Sequence, residues 1–139
     1  MGEAGKCEIC TSPILPPAKR CSRCRKLLDR RRKGMRPNVP ARVEAMKRSW
    51  RHEDERFHCY YTGVALDTSN PKSPRYFAFD HRTPRMENDI VVASQLINDM
   101  KSDLTEPEFK RLVVELANRF QGGEFDERAL EVVHFKRGG

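Results

Sequence analysis

The chain has no apolar run long enough to cross a bilayer, a span that takes about 20 consecutive apolar residues. It also has no apolar stretch of signal-peptide type near its N-terminus. These absences predict a soluble, cytoplasmic protein with no membrane partner. Acidic residues are scarce in the first fifty positions: 4 Asp and Glu stand against 14 Lys and Arg, a formal +10. Residues 51 to 139 carry 13 basic against 16 acidic residues, a formal −3. Four thiolates around one zinc would lower the first half only to about +8. Such asymmetry points to a polyanionic partner for the N-terminal half, with a solvated basic arm as the bland alternative. No repeat of solenoid length is present.

Apolar residues are modest at 37% and charged residues high at 34%, over 139 residues. That bounds the chain to one small core with an appended module, for which a metal staple is a natural support. The 5 cysteines are an odd number. An odd count in an intracellular protein argues for metal ligands over a disulfide framework. Cys7-x-x-Cys10 and Cys21-x-x-Cys24 are two such pairs, separated by a Pro-rich connector. Each pair can wrap a tight turn, and four thiolates complete a closed tetrahedron around Zn²⁺, leaving no position for water. The expected zinc is therefore structural. It would hold Lys19, Arg20, Arg23, Arg25 and Lys26 in a fixed array, followed at once by Arg30, Arg31, Arg32 and Lys33, all suited to phosphates rather than to bases.

The periodicity predicts an α+β chain in three parts: a zinc-binding basic module over 1–36, a connecting amphipathic helix within 37–56, and a core with C-terminal helices over 57–139. A short basic helix is expected over 25–34. Pro37 and Pro40 should break the chain, and a helix should run from Ala41 to Arg56 with Val43, Met46 and Trp50 on one face. Residues 57 to 67 read as a strand or hairpin arm, and residues 76 to 81 (YFAFDH) as a second strand. A helix is expected from Asn88 to Lys101. Another should cover 105 to 121, with Thr105 and Glu108 as a capping box, Leu112, Val113, Leu116 and Phe120 as its buried stripe, and Gly122 and Gly123 as its stop. A last short helix is expected over Glu127 to His134. His52, His58 and His134 have no matched constellation and read as ordinary surface or core residues.

From Asp80 the chain reads DHRTPRMENDIVVASQLINDMKSDLT. This stretch resembles the His-Asn-His (HNH) endonucleases of the ββα-metal fold. Their strand ends in Asp-His, a loop containing Pro leads through an Asn into a helix, and a third metal-site residue, His or Asn, is often followed by Lys. Upstream, CYYTGVAL resembles the CxxCG strand that opens many members. The resemblance covers about residues 57 to 110. It implies a metal-dependent DNA endonuclease acting as monomer or homodimer, with a small ββα core braced by helices and fronted by the zinc module. In that reading His81 is the general base, its ordinary pKa lying near neutrality. Asp80 and Asn98 are hard oxygen ligands for Mg²⁺ or Mn²⁺. Asn88 orients the base, with Asp89 as the competing middle residue. Arg82, Arg85 and Lys101 would contact phosphates. Asp80 and His81 are neighbours on a strand, so they can share one site only if the strand ends or twists there, which the Arg82-Thr83-Pro84 turn allows.

The chain departs from the family pattern at its second pair of CxxC positions, which read Cys59-Tyr60-Tyr61-Thr62 and Ser94-Gln95-Leu96-Ile97. Only Cys59 remains, so no second structural zinc is expected. Cys59 should be a small buried residue, with Leu96 and Ile97 packing in the metal's place. A compact stand-alone HNH protein fits a phage or mobile-element setting by family analogy. The alternatives are a non-catalytic nucleic-acid-binding protein on a degenerate nuclease fold, or a zinc-stapled module facing an acidic protein partner.

Overall fold

A computed structural model describes residues 5–29 and 38–132. The chain forms four helices and three two-stranded antiparallel sheets among these residues. The basic run Arg30, Arg31, Arg32, Lys33 lies outside them, as does most of the expected end of the last helix.

The N-terminal module opens with a small hairpin, β1 (Gly5–Lys6) and β2 (Pro13–Ile14). The first cysteine pair sits on the turn between them. That turn is closed by Cys7 N–H to Ser12 O at 2.8 Å and Thr11 N–H to Cys7 O at 2.9 Å. Helix α1 (Ser22–Leu28) starts inside the second cysteine pair rather than after it, because Cys21 caps it by accepting the Cys24 N–H.

Helix α2 is Val39–Ser49, capped by Asn38. Pro40 does not break the chain. It lies in the first helical turn, where an N–H would have no intrahelical acceptor. The helix also stops seven residues short of Arg56. Trp50 turns extended (φ −75°, ψ 132°) and starts β3 (Trp50–Arg51), which pairs with β4 (Arg56–Phe57). The opposed Trp50 and Phe57 rings meet edge-on with centroids 4.8 Å apart, and cross-strand aromatic packing offsets the turns lost from the helix. The strand expected over 57–67 is otherwise a turn, with isolated bridges from His58 to Ala65 and from Asp67 to Tyr76, and Gly63 at φ 72°.

The central hairpin consists of β5 (Phe77–His81) and β6 (Ile90–Ser94). Its ladder runs from Phe77 opposite Ser94 to His81 opposite Ile90. Residues 90–94, whose apolar spacing predicts a helix, form a strand instead. The run Ile90-Val91-Val92 is β-branched and fully buried, and a strand accommodates such residues better than a helix does. Helix α3 therefore covers only Gln95–Lys101, capped by Ser94. The order through this region is strand, strand, helix. Helix α2 lies along β6, and α3 packs on both strands.

Helix α4 (Glu106–Phe120) carries the expected capping box between Thr105 and Glu108. Its expected buried stripe is largely exposed instead: Val113, Leu116 and Phe120 face solvent, Leu112 is half-buried, and Phe109 is its one buried residue. The helix leaves the core after its first turn and packs against the short 3-10 helix Glu127–Leu130. Gly122 (φ 97°) follows its end. The main core is continuous across the three expected parts. Cys24, Leu27 and Leu28 join Val43 and Met46, then Phe57, Phe77, Ile90 and Val92. Arg42 ties α1 to α2 by donating to Leu28 O at 2.8 Å.

Candidate functional sites

The four cysteines Cys7, Cys10, Cys21 and Cys24 bring their sulfurs within 4.8 Å of one another. A tetrahedral zinc with bonds of about 2.3 Å needs sulfurs about 3.8 Å apart, and Cys10 and Cys21 stand at 3.7 Å. Three of the four residues are buried. Burial, a hydrogen bond with Cys21 and the charges of Cys10, Cys21 and Cys7 push the Cys24 thiol far above its ordinary range. The cluster is thus placed to hold a metal ion, which would displace the Cys24 proton, and its all-sulfur donor set is compatible with zinc.

The second candidate site lies at the end of β5. Asp80 is 4% exposed. Its Oδ2 accepts a hydrogen bond from the Tyr61 hydroxyl and lies 3.4 Å from the Lys101 ammonium. Burial raises the Asp80 pKa, and the Tyr61 and Lys101 contacts recover only part of that rise. Lys101 Nζ also donates to the backbone oxygen of His81 at 2.9 Å. Lys101 was expected on a phosphate, but it is 0% exposed. Its charge is committed to the Asp80–His81 corner and cannot reach a ligand surface. Tyr61, nineteen positions from Asp80, had no signal in the sequence to mark it as a partner.

The regular register through His81, continued by Arg82 N–H to Asp89 O at 2.9 Å, carries the strand past the Asp-His pair. Alternation then directs Asp80 and His81 to opposite faces, so the expected early strand end is absent. The His81 imidazole and the Asn98 amide make no hydrogen bond among the described residues. Asn98 is nevertheless buried, one helical turn before Lys101 on α3.

The loop from β5 to β6 is closed by charge. Arg82 holds Asp89 at 2.7 Å and approaches Glu106 at 3.6 Å. Thr83 donates to the other Asp89 oxygen at 2.8 Å. Burial would raise the Asp89 pKa, but the Arg82 and Thr83 hydrogen bonds outweigh it and hold the carboxyl below its usual range. Asp89 is thus a loop clamp, which leaves Asn88 as the middle candidate. Asn88 is exposed and accepts from Asn38 at 2.8 Å. Arg82 is largely committed to its carboxylates, while Arg85 is exposed at φ 68°. Cys59 is buried as expected, but Leu96 is half exposed and fills no metal's place.

The cysteine cluster is the one group of three or more Cys, His, Asp or Glu side chains among the described residues that is placed to share a metal ion. Among the described residues Asp80 Oδ1 has no hydrogen bond, and Asn98 is buried on the neighbouring helix α3. No helix among the described residues is long and apolar enough to cross a membrane. Comparison of the chain with family models, with curated proteins and with solved structures finds no match in any of the three.

Proposed function

We propose that the protein is a metal-dependent DNA endonuclease of HNH type whose four cysteines hold a structural zinc. The observation that supports this most is the strand–strand–helix order β5–β6–α3. It sets Asp80 and His81 at the last two positions of the hairpin's first strand, with Asn98, buried and without a side-chain hydrogen bond among the described residues, on the helix packed against it. Asp80 and Asn98 would hold Mg²⁺ or Mn²⁺. When bound, that ion would offset negative charge developing on the scissile phosphate. His81 would take the proton from the attacking water once a twist at the end of β5 turns its ring to the face of Asp80, since the regular ladder otherwise directs the two side chains to opposite faces. Lys101 would fix the corner by gripping both the Asp80 carboxylate and the His81 carbonyl. Arg85 and the run from Arg30 to Lys33 would bind phosphates. The products would carry 5′-phosphate and 3′-hydroxyl ends. One site cuts one strand, so a monomer nicks, and a homodimer or second binding event is needed for a double-strand break.

One observation favours a non-catalytic DNA-binding protein instead. The Lys101 ammonium already gives Asp80 a countercharge without any divalent ion. Supercoiled-plasmid conversion with wild type and His81→Ala, in Mg²⁺, in Mn²⁺ and without divalent metal, separates the two. The nuclease reading expects nicked circles only with added metal, and at least a hundredfold loss in His81→Ala with DNA binding retained. No conversion in any metal, or equal conversion by both proteins, would leave the binding reading in its place.

A further inference from the structure

A cleft of about 430 Å³ opens at the far end of β5 from His81. Arg23, Arg56 and Arg75 line it together with Trp50 and Phe57. The cleft draws its walls from α1, the β3–β4 hairpin and the segment before β5, so residues far apart in sequence converge there. Among the described residues none of these three guanidiniums forms an ion pair within 4 Å. Arg23 is held by rings instead of a carboxylate. Its guanidinium carbon lies 5.2 Å from the Trp50 centroid and 5.8 Å from that of Phe57. Stacking of this kind fixes a guanidinium while leaving its donors available. Two acids share the cleft, Glu55 and Asp67. The Asp67 carboxylate is already used by the Ser69 N–H, the Ser69 hydroxyl and the Asn70 N–H. Arg56 and Arg75 are both exposed.

We propose that this cleft is a phosphate-binding subsite for a nucleic-acid strand, with Arg56 and Arg75 gripping phosphate oxygens beside the ring-mounted Arg23. Planar guanidiniums suit phosphate, and contacts of this kind position a duplex without reading its bases. The proposal rests on the reading that DNA is the partner, but not on catalysis. Four strand steps separate Phe77 from His81, about 13 Å. That distance corresponds to about four base pairs of duplex rise. One duplex therefore spans both places, and the cleft would set the register of the strand presented to His81.

The chain has a single Trp, and it lines the cleft. Its emission therefore reports occupancy without any cleavage. The zinc-loaded full chain, without added Mg²⁺ or Mn²⁺, is titrated with a 16-base-pair duplex, with a single strand of that length and with inorganic phosphate. The expected result is a saturable emission change with an oligonucleotide. The R56Q/R75Q double variant, its fold checked by circular dichroism, should bind at least tenfold more weakly. Its log-log salt slope should fall by about 1.8, two contacts at about 0.9 each. An unchanged affinity and slope in the double variant would overturn the proposal. So would an emission change produced by inorganic phosphate but by neither oligonucleotide, since that is a free-anion site. Plasmid nicking measured in parallel keeps the two readings apart. A cleft response with no nicking sinks the catalytic reading alone, and nicking with no cleft response sinks this one alone.

Discussion

Lys101 shows how far a single side chain can lie from its expected role. Its place after Asn98 made it a phosphate contact in the sequence, because charge and spacing cannot distinguish a lysine that reaches solvent from one that turns inward. The structure buries it completely against Asp80 and the His81 carbonyl. Removing one partner of a buried ion pair strands the other. Lys101→Met is therefore expected to cost about 3–5 kcal/mol, read from urea unfolding. Adding Asp80→Asn should return part of that loss, because the uncompensated carboxylate is then gone. Equal stability of Lys101→Met and wild type would mean that the pair is not formed. The four cysteines were legible as a metal-binding cluster from their spacing alone, while Asp80, His81 and Asn98 stand as candidates drawn from the resemblance. Tyr61 and the clamp role of Asp89 were not legible, since both depend on contacts made across the fold.

At the scale of elements, end signals were read more reliably than interiors. The Thr105–Glu108 capping box and the glycines after α4 stand where the sequence put them. Two segments that form hairpin strands where helix is expected, 50–56 and 90–94, share one cause: apolar residues at helical spacing that are also aromatic or β-branched. Trp50 and Phe57 close a hairpin, and Ile90 to Val92 add a strand, because tertiary partners outweigh local period. Helix α4 fails differently. Its stripe is amphipathic, yet Val113, Leu116 and Phe120 stay exposed among the described residues. Phe120→Ser is expected to change stability by less than about 0.5 kcal/mol. Phe77→Ala, in the buried hairpin, should cost about 3–5 kcal/mol. Thermal or denaturant melts of the two variants test the contrast, and a large loss from Phe120→Ser would show that the α4 face is covered.

For the whole molecule, composition leads one to expect a cysteine-rich basic module, a linking helix and a core, but one buried cluster runs across those expected boundaries. Cys24, Leu27 and Leu28 lie in the same buried cluster as Phe77 and Val92. Stripping the metal should therefore be felt beyond the first 29 residues. A chelator strong enough to remove a four-thiolate ion, or Cys24→Ser, is expected to reduce amide-exchange protection in α2 as well as in α1. Loss confined to α1, with α2 and β6 as protected as before, would show that the module is energetically separate.

The pairing of α2 with β6 also bears on how the chain emerges from a ribosome. Arg48 donates to Ile90 O across 42 positions, and the buried face of α2 has its main strand partner there. At about 5–20 residues per second, α2 precedes that partner by about 2 to 8 s. During that interval Val43 and Met46 have only the α1 side of their eventual surroundings, and a nascent chain would depend on the metal-bound segment to shield them until the hairpin arrives.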